Sequence, residues 1–255
     1  SGYASLSSSN DTLLVSIMNN EGKGETFWYR NGKKTKSLGS LKQVEISPDG
    51  KYYSYVLDNA IYIKDNNDST IAKIPTEDYL ESIVWSWNSK VIYISEQGNI
   101  DRIFSYDLTT GTKEEVLRSK RGNTYFHPVA VKNNDFIYLL ENKIPDDELP
   151  QCDIVQYNLK AKTFKKIGLP YIKNYNIYYD FTISPDEKVI IFNNVNDGYL
   201  YIIDNSKVKI INKIETPRES RVGQGICVYR WKSDSSYVIF TITGKEIYKY
   251  IVPKL

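Results

Sequence analysis

The only histidine among the 255 residues, His127, is the first side chain to weigh for acid–base or metal chemistry. It follows Tyr125 and Phe126 and stands at the predicted start of a strand. Imidazole exchanges protons near neutral pH, yet a lone histidine at such a junction is more often a packing or hydrogen-bonding residue than a catalyst. Because there is no second histidine and no paired cysteine, the sequence predicts no histidine-based metal site.

Three adjacent carboxylates, Asp146-Asp147-Glu148, lie in a long loop predicted over residues 141–153. Calcium loops usually alternate their ligands with spacers and turn at a glycine, and this run does neither. We therefore interpret it as a solvated acidic loop and as a candidate partner-binding protrusion, because long loops without internal structure are often functional.

Basic residues gather in a second loop, where Arg218 and Arg221 precede a Gly-Gln-Gly run at 223–225. Together with Lys120 and Arg121 they could form a basic sector for a carboxylate or an acidic partner. Scattered solvated charge is an equally good interpretation. The glycines do not lie between a strand and a helix, so they do not form a nucleotide-binding fingerprint.

Local signatures of catalysis are missing from the sequence. There is no Gly-x-Ser-x-Gly nucleophile elbow, and nothing marks Cys152 as an activated thiol. Paired carboxylates from distant segments would leave no local signature, so a glycan-cleaving pair stays open. We predict no catalytic residues, no metal and no cofactor.

Composition narrows the partner class. The 33 basic and 31 acidic residues give a net charge of +2, without the concentrated basic face that nucleic acid requires. Two cysteines are too few for a disulfide framework, and no apolar run reaches the ~20 residues of a membrane helix. Because the sequence begins Ser1-Gly2 without an initiator methionine, we expect that an upstream segment, such as a signal peptide or an anchor, has been removed.

The elements that must position these side chains are strands, in six repeats spaced 39 to 54 residues apart. Each repeat has an apolar residue, a polar turn and strands rich in aromatic and β-branched residues, and five repeats add a fourth, more polar strand. Four short strands at this period are the signature of propeller blades. We predict an all-β, six-bladed β-propeller whose last blade lacks an obvious outer strand, because the sixth repeat ends after its third strand.

No linker or change of composition interrupts the repeats, so the prediction is a single domain over residues 1–255. Residues 75–82 and 119–126 are interpreted as loops between blades. The predicted blades cover approximately residues 1–40, 41–78, 79–120, 121–170, 171–218 and 219–255.

Residues 46–56 with 61–65 contain an apolar residue, Ser-Pro-Asp-Gly-Lys, an apolar strand and then an Ile-Tyr strand ending in Asp. Residues 181–191 with 200–204 follow the same pattern with Glu187 in place of the glycine. In this pattern the repeats resemble the TolB-like, or WD40-like PD40, family. The resemblance implies a propeller and an extracytoplasmic bacterial setting (periplasmic, cell-surface or secreted), as a lipoprotein or the sensor domain of a larger protein. It does not define an activity, because function is grafted onto the loops of such folds.

In such a blade the first strand lines the central channel, and the second-to-third loops and interblade loops share one rim. We therefore predict a non-catalytic module that binds a protein or a small ligand at this rim. The alternative is a hydrolase or lyase acting on a glycan or peptide at the channel mouth. The predicted binding residues are Arg102, Tyr125, His127, Asp180, Arg218 and Arg221.

Overall fold

The computed structural model of the chain describes residues 2–9, 12–19, 24–30, 33–120, 122–143, 151–169, 181–194, 198–215, 228–232, 234–242 and 246–253. Within these ranges the chain forms strands and turns and contains no helix. The described part accordingly has no helix that is long and apolar enough to cross a membrane.

The strands form six antiparallel sheets, and each strand pairs with its neighbour in sequence. Five sheets have four strands and the sixth has three. The strands are β1 Gly2–Ser9, β2 Thr12–Asn19, β3 Gly24–Arg30 and β4 Lys33–Gly39; β5 Lys42–Ile46, β6 Tyr52–Leu57, β7 Ala60–Asp65 and β8 Thr70–Pro75; β9 Tyr79–Trp85, β10 Val91–Gln97, β11 Arg102–Asp107 and β12 Thr112–Arg118; β13 Asn123–Ala130, β14 Phe136–Lys143, β15 Gln151–Asn158 and β16 Thr163–Lys166; β17 Phe181–Ile183, β18 Val189–Asn194, β19 Tyr199–Asp204 and β20 Lys209–Glu215; and β21 Val228–Trp231, β22 Tyr237–Ile242 and β23 Glu246–Ile251.

The prediction of six blades is wrong, because the structure has five four-stranded blades. The last three strands, β21 to β23, form a sheet that no fourth described strand completes. The N-terminal strand β1 does not supply it, since β1 pairs with β2 as an edge strand of the first sheet. The physical reason is one of pairing: within the described residues the last repeat contributes three strands, and these pair only with one another.

The chain separates into two compact units, Ser1–Glu77 with Pro217–Lys254 and Asp78–Thr216 with Leu255. The first unit holds the first, second and sixth sheets, and the second unit holds the third, fourth and fifth. The single-domain assignment stays a prediction.

Each unit has apolar cores that involve more than one of its own sheets. In the first unit, Leu14 and Trp28 pack with Val44, Ile46 and Tyr53. In the second unit, one core joins buried residues of the third and fourth sheets and another joins those of the fourth and fifth. A four-stranded sheet has two faces to bury, and the neighbouring sheets of a unit provide the apolar cover.

A buried serine closes the turn between the first and second strands of a blade. In the second sheet, the Ser47 hydroxyl donates to Asp49 at 2.7 Å and accepts from the Tyr52 N–H at 3.0 Å. The turn ends in a left-handed residue, Gly50, with φ of 73°. Equivalent hydroxyl bonds join Ser86 to Asn88 and Val91, and Ser184 to Asp186 and Val189.

In the fifth sheet the left-handed turn position holds Glu187, with φ of 62°. Its carboxylate accepts hydrogen bonds from Tyr138 and from Gln156, which lies 3.1 Å away, and both partners belong to the fourth sheet. Burial raises the pKa of the Tyr138 hydroxyl, and the Glu187 carboxylate raises it further. The residue that departs from the glycine of the pattern therefore ties two sheets of the second unit together.

The turn serine predicts a measurable stability effect. Ser47→Ala removes a buried hydroxyl and leaves the Tyr52 N–H without that acceptor, so unfolding should become easier by about 1–3 kcal/mol. Urea denaturation followed by tryptophan fluorescence measures the change. The matched control is Ser69→Ala, at an exposed turn position, where the change should stay within about 0.5 kcal/mol. Equal losses in the two variants would contradict the structural role of the Ser47 hydroxyl.

Candidate functional site

The loop between β10 and β11, residues 98–101, is fixed at several points. The Ser119 N–H donates to the Asp101 carbonyl oxygen at 2.9 Å, and the Asp101 carboxylate accepts the N–H of Gly98. The Asp78 carboxylate lies directly against Gly98, where an added Cβ would approach its carbon to 2.6 Å. A larger residue at position 98 would therefore have to displace the Asp78 carboxylate.

A buried network of charged residues lies next to this loop. Glu96 is fully buried and receives the Lys113 ammonium at 2.8 Å, with an Arg102 nitrogen at 3.9 Å. Arg102 also donates to Asp78 at 2.7 Å. The Phe104 ring lies beneath both cations, 5.0 Å from the Arg102 guanidinium and 4.2 Å from the Lys113 ammonium. A buried carboxylate is tolerated only when it is paired, and here two cations compensate its charge.

Two apolar side chains stand exposed at the same end of the sheet. Tyr79 begins β9 opposite Gln97 and is 72% exposed, and Ile100 in the loop is 47% exposed. We call the surface formed by Asp78, Tyr79, residues 98–101 and Arg102 the third-sheet rim. It combines an aromatic, an aliphatic and a guanidinium group on a fixed backbone.

His127 lies in the middle of β13, not at the loop-to-strand junction predicted from the sequence. Pro128 has no N–H to give to the ladder, and the register with β14 jumps from Phe126 to Val129. Within this bulge His127 adopts a left-handed backbone with φ of 53°, which is strained for a residue with a side chain. A bulge of this kind redirects a side chain. Here it brings the His127 imidazole into contact with β9 and β17.

The His127 imidazole contacts an acid on one side and an aromatic ring on the other. Its Nδ1 lies 3.6 Å from a Glu81 oxygen on β9, and its ring centroid lies 5.7 Å from that of Phe181 on β17. The bulge also frees the His127 N–H, which donates to Glu81 at 3.3 Å. Glu81 thus receives the backbone and the ring of one residue, and it also accepts from the hydroxyl of Ser82.

The two acids near this point respond in opposite directions to their surroundings. Burial would raise the pKa of Glu81, but the contacts with His127 and the Ser82 hydroxyl outweigh it and hold the pKa below its usual value. Burial raises the pKa of Asp101, the N–H of Gly98 opposes the rise, and the negative charge of Glu81 adds to it. The site therefore keeps Glu81 charged and disfavours the charge on Asp101.

Tyr125 is buried in the core that joins the third and fourth sheets. Its hydroxyl donates to Glu141 at 3.1 Å, and its ring stacks on Phe164 at 4.7 Å between centroids. Burial, with the Glu141 charge, raises the pKa of Tyr125 to about 12. Its surroundings are those of a packing residue.

Of the six predicted binding residues, the structure places three. Arg102 lies on the third-sheet rim, His127 reaches Glu81 of the same sheet, and Tyr125 lies two residues before His127 in β13. Asp180, Arg218 and Arg221 lie outside the described residues, as do Arg121 and the acidic run at 146–148.

Sequence reasoning did not find the network of Asp78, Glu96 and Lys113, because its members are spread over 36 residues and carry no motif. One available signal was overlooked. A His-Pro pair inside a predicted strand indicates a bulge, since proline cannot take part in the ladder. Among the described residues, no three histidine, cysteine or acidic side chains converge as metal ligands.

Neither protein-family models nor curated protein sequences match this chain. Solved structures do resemble it, with low identity. Hydrazine synthase of Kuenenia stuttgartiensis superimposes with a TM-score of 0.68 at 13% identity, covering 97% of this chain and 82% of that one. An oligogalacturonate lyase in complex with manganese gives 0.61 at 12%, covering 96% and 86%, and the oligogalacturonate lyase of Vibrio parahaemolyticus gives 0.59 at 11%, covering 96% and 87%.

This likeness, together with the repeated four-stranded sheets, shows that the chain is an all-β β-propeller. Membership of the TolB-like family stays a prediction. At these identities the likeness extends to the fold and not to the activity of the similar proteins.

Asp101 provides a pH-dependent prediction. Because the folded state raises its pKa above the ordinary value of 3.8, folding binds its proton more tightly, and the free energy of unfolding falls as pH rises through that window. Asp101→Asn keeps an acceptor for Gly98 and removes the charge. At pH 7 it should stabilise the chain by roughly 0.5 kcal/mol, a size limited by solvent screening.

Urea denaturation at pH 7 and at about pH 3 measures this effect. The gain should disappear at the lower pH, where Asp101 is protonated in both states. Asp58→Asn, at an exposed turn position, is the control and should change little at either pH. A destabilised Asp101→Asn variant at pH 7 would contradict the assignment.

Proposed function

We propose that the chain is a non-catalytic binding module that recognises a partner protein at the third-sheet rim. The observation that carries this proposal is the exposure of Tyr79 and Ile100 on a backbone held by Asp78, Ser119 and the buried Glu96 network. Tyrosine and arginine are the residue types that dominate the energetics of protein interfaces, and both occur here.

Rigidity is what makes this surface suited to binding. A loop that is already ordered loses little conformational entropy when a partner docks, so more of the contact energy appears as affinity. The Arg102 guanidinium is oriented by its hydrogen bond to Asp78, which keeps a cationic group beside the two apolar side chains. The rim thus offers an apolar contact beside a directional polar one.

Catalysis is not proposed, although His127 contacts Glu81 and the negative charge of Glu81 acts on Asp101. Both Glu81 oxygens are already engaged, by His127 on one and by the His127 N–H and the Ser82 hydroxyl on the other. The strain at His127 and the raised pKa of Asp101 instead fit a site that sacrifices stability for a fixed arrangement of polar groups.

We propose an extracytoplasmic compartment for this binding function because of the family resemblance. An extracytoplasmic module, as a lipoprotein or a sensor domain, agrees with the repeat pattern of residues 46–65. The partner is accordingly sought among extracytoplasmic proteins.

A pair of double variants tests the proposal. Tyr79→Ala with Ile100→Ala removes the apolar contact of the rim. Leu57→Ala with Ile71→Ala is the matched control, because these side chains are 43% and 46% exposed in the second sheet. Each purified chain captures partners from an extracytoplasmic extract, quantified by mass spectrometry, and the Kd of each captured protein is then measured by biolayer interferometry.

We expect the rim variant to weaken binding at least roughly tenfold, the loss associated with interface hot spots, and the control to bind like the wild-type chain. Equal binding by the rim variant and the wild type, or an equal loss in both double variants, would overturn the third-sheet rim as the partner site. Circular dichroism and urea midpoints of the two variants verify that both are folded.

A further inference from the structure

Asp101 carries a charge on the third-sheet rim that no neighbouring cation balances. Its carboxylate is half-buried and accepts the N–H of Gly98, and among the described residues no lysine or arginine forms an ion pair with it. Burial raises the pKa of Asp101, and the negative charge of Glu81 adds to the rise. A cation supplied from outside would therefore stabilise this carboxylate.

The pleat of the strands keeps the nearest arginine away from Asp101. Glu96 is in register with Arg102 across β10 and β11, and both side chains lie on the face that carries Lys113. Successive residues of a strand point to opposite faces, so Asp101 lies on the other face. The two cations of the buried network are accordingly held by Glu96 and Asp78.

Three side chains form a row across this other face at the rim. Gln97 is in register with Tyr79 on β9. On its other side, Gln97 directly follows the last ladder pair between β10 and β11, which places it opposite Asp101. Because neighbouring strands lie about 4.8 Å apart, the row spans about 10 Å. Tyr79 is 72% exposed, and the Gln97 amide has no hydrogen-bond partner among the described residues.

The same face is also short of hydrogen-bond partners deeper in the sheet. Ser95 lies two residues before Gln97 on β10, so it points to the same side of the sheet, where it is opposite Ser82 of β9. Its hydroxyl is fully buried and has no hydrogen-bond partner in the part of the chain that the structure describes. Buried polar groups are nearly always paired, so an unpaired hydroxyl behind an unpaired amide and carboxylate points to a face suited to a polar ligand.

Lysine is the cation that suits this row. Its ammonium has three donors that can diverge to the Asp101 carboxylate and the Gln97 amide oxygen, and its four-carbon stem can pack on the Tyr79 ring. A guanidinium pairs best with both oxygens of a carboxylate, and the Gly98 N–H already occupies part of the Asp101 carboxylate. A calcium ion needs about six to eight oxygen ligands, and no three acidic, histidine or cysteine side chains converge among the described residues.

We propose that the third-sheet rim recognises a lysine side chain of the partner, whose ammonium binds between Asp101 and Gln97 and whose stem lies on Tyr79. This inference rests on the proposed function and specifies the chemistry of the partner at the same surface. Ile100, which is 47% exposed, provides apolar contact for the residues that flank the lysine. Glu81 does not touch the ligand, because its oxygens are engaged, but its negative charge favours a cation at Asp101.

The probe is a blocked tripeptide, Leu-Lys-Leu, titrated onto the isotope-labelled full chain at neutral pH and low salt. The NMR reporter is the Gly98 amide signal, because this N–H is bonded to the Asp101 carboxylate. We expect a saturable shift with a Kd on the order of 1 mM, the affinity of one solvent-screened ion pair with a small apolar contact. The matched peptide carries acetylated lysine, which keeps the stem and removes the charge, and should bind at least roughly tenfold more weakly.

Two variants test the row on the protein. Asp101→Asn keeps an acceptor for the Gly98 N–H and removes the charge, so the Kd for the lysine peptide should rise at least roughly tenfold. Gln97→Met keeps the length of the side chain and removes the amide oxygen, so this Kd should rise at least roughly threefold. Asp58→Asn removes a carboxylate at an exposed turn of the second sheet and should bind like the wild-type chain.

The inference would be overturned by the lack of a saturable shift at about 20 mM lysine peptide, or by equal binding of the acetylated peptide. Tighter binding of a Leu-Arg-Leu peptide, or wild-type affinity in Asp101→Asn or Gln97→Met, would also overturn it. Circular dichroism verifies that the variants are folded, and the acetylated peptide tests the same contact on the wild-type chain.

The captured partners separate this inference from the rim proposal. A partner that loses affinity for the Tyr79→Ala and Ile100→Ala variant should also bind Asp101→Asn at least roughly tenfold more weakly than the wild type. Normal binding of that partner to Asp101→Asn would overturn the lysine inference and leave the rim as the partner site. If the lysine peptide binds but no captured partner depends on Tyr79 and Ile100, the rim proposal fails and the lysine contact stands.

Discussion

Everything in this chain follows from the inability of a four-stranded sheet to cover its own faces. Each sheet is too narrow to fold back on itself, so its apolar residues must meet those of another sheet. The cores of the two units meet this requirement with buried side chains from different strands, such as Leu14 and Trp28 in one unit and Ile103 and Val155 in the other. The polar fourth strands and the loops do not have to bury apolar surface, so functional residues can be placed on them.

Local sequence patterns predicted the strands well because they report local physics. The turn at Ser47-Pro48-Asp49-Gly50 and the alternation in Tyr52 to Leu57 are set by residues only a few positions apart, and the structure has them as expected. The predicted number of blades, six, was wrong, because the structure has five four-stranded blades and a further sheet of three described strands. The segments 75–82 and 119–126, interpreted as loops, contain the first residues of β9 and β13, because pairing with a neighbouring strand overrides weak local preference.

The candidate site was less accessible to sequence reasoning, because its geometry depends on residues far apart in the chain. Arg102 was recognised as a rim residue, but its orientation comes from Asp78, and the burial of Glu96 with Lys113 is a tertiary fact. His127 was singled out for its chemistry and placed at the wrong point of its strand, since the effect of Pro128 on the ladder was not considered. The site combines a neutralised buried charge, a bulge and a carboxylate disfavoured in its charged form, and none of these leaves a periodic pattern.

The Glu187 carboxylate has a consequence for how such a chain can be rebuilt. A repeat protein invites the view that its modules are exchangeable, so that one could be duplicated, deleted or averaged into a common sequence. Here one module carries in its hairpin a residue that is meaningful only beside Tyr138 and Gln156 of the preceding module. These adjacent modules are therefore specific to each other. Transplanting either one alone would remove the hydrogen bonds between Glu187 and its two partners.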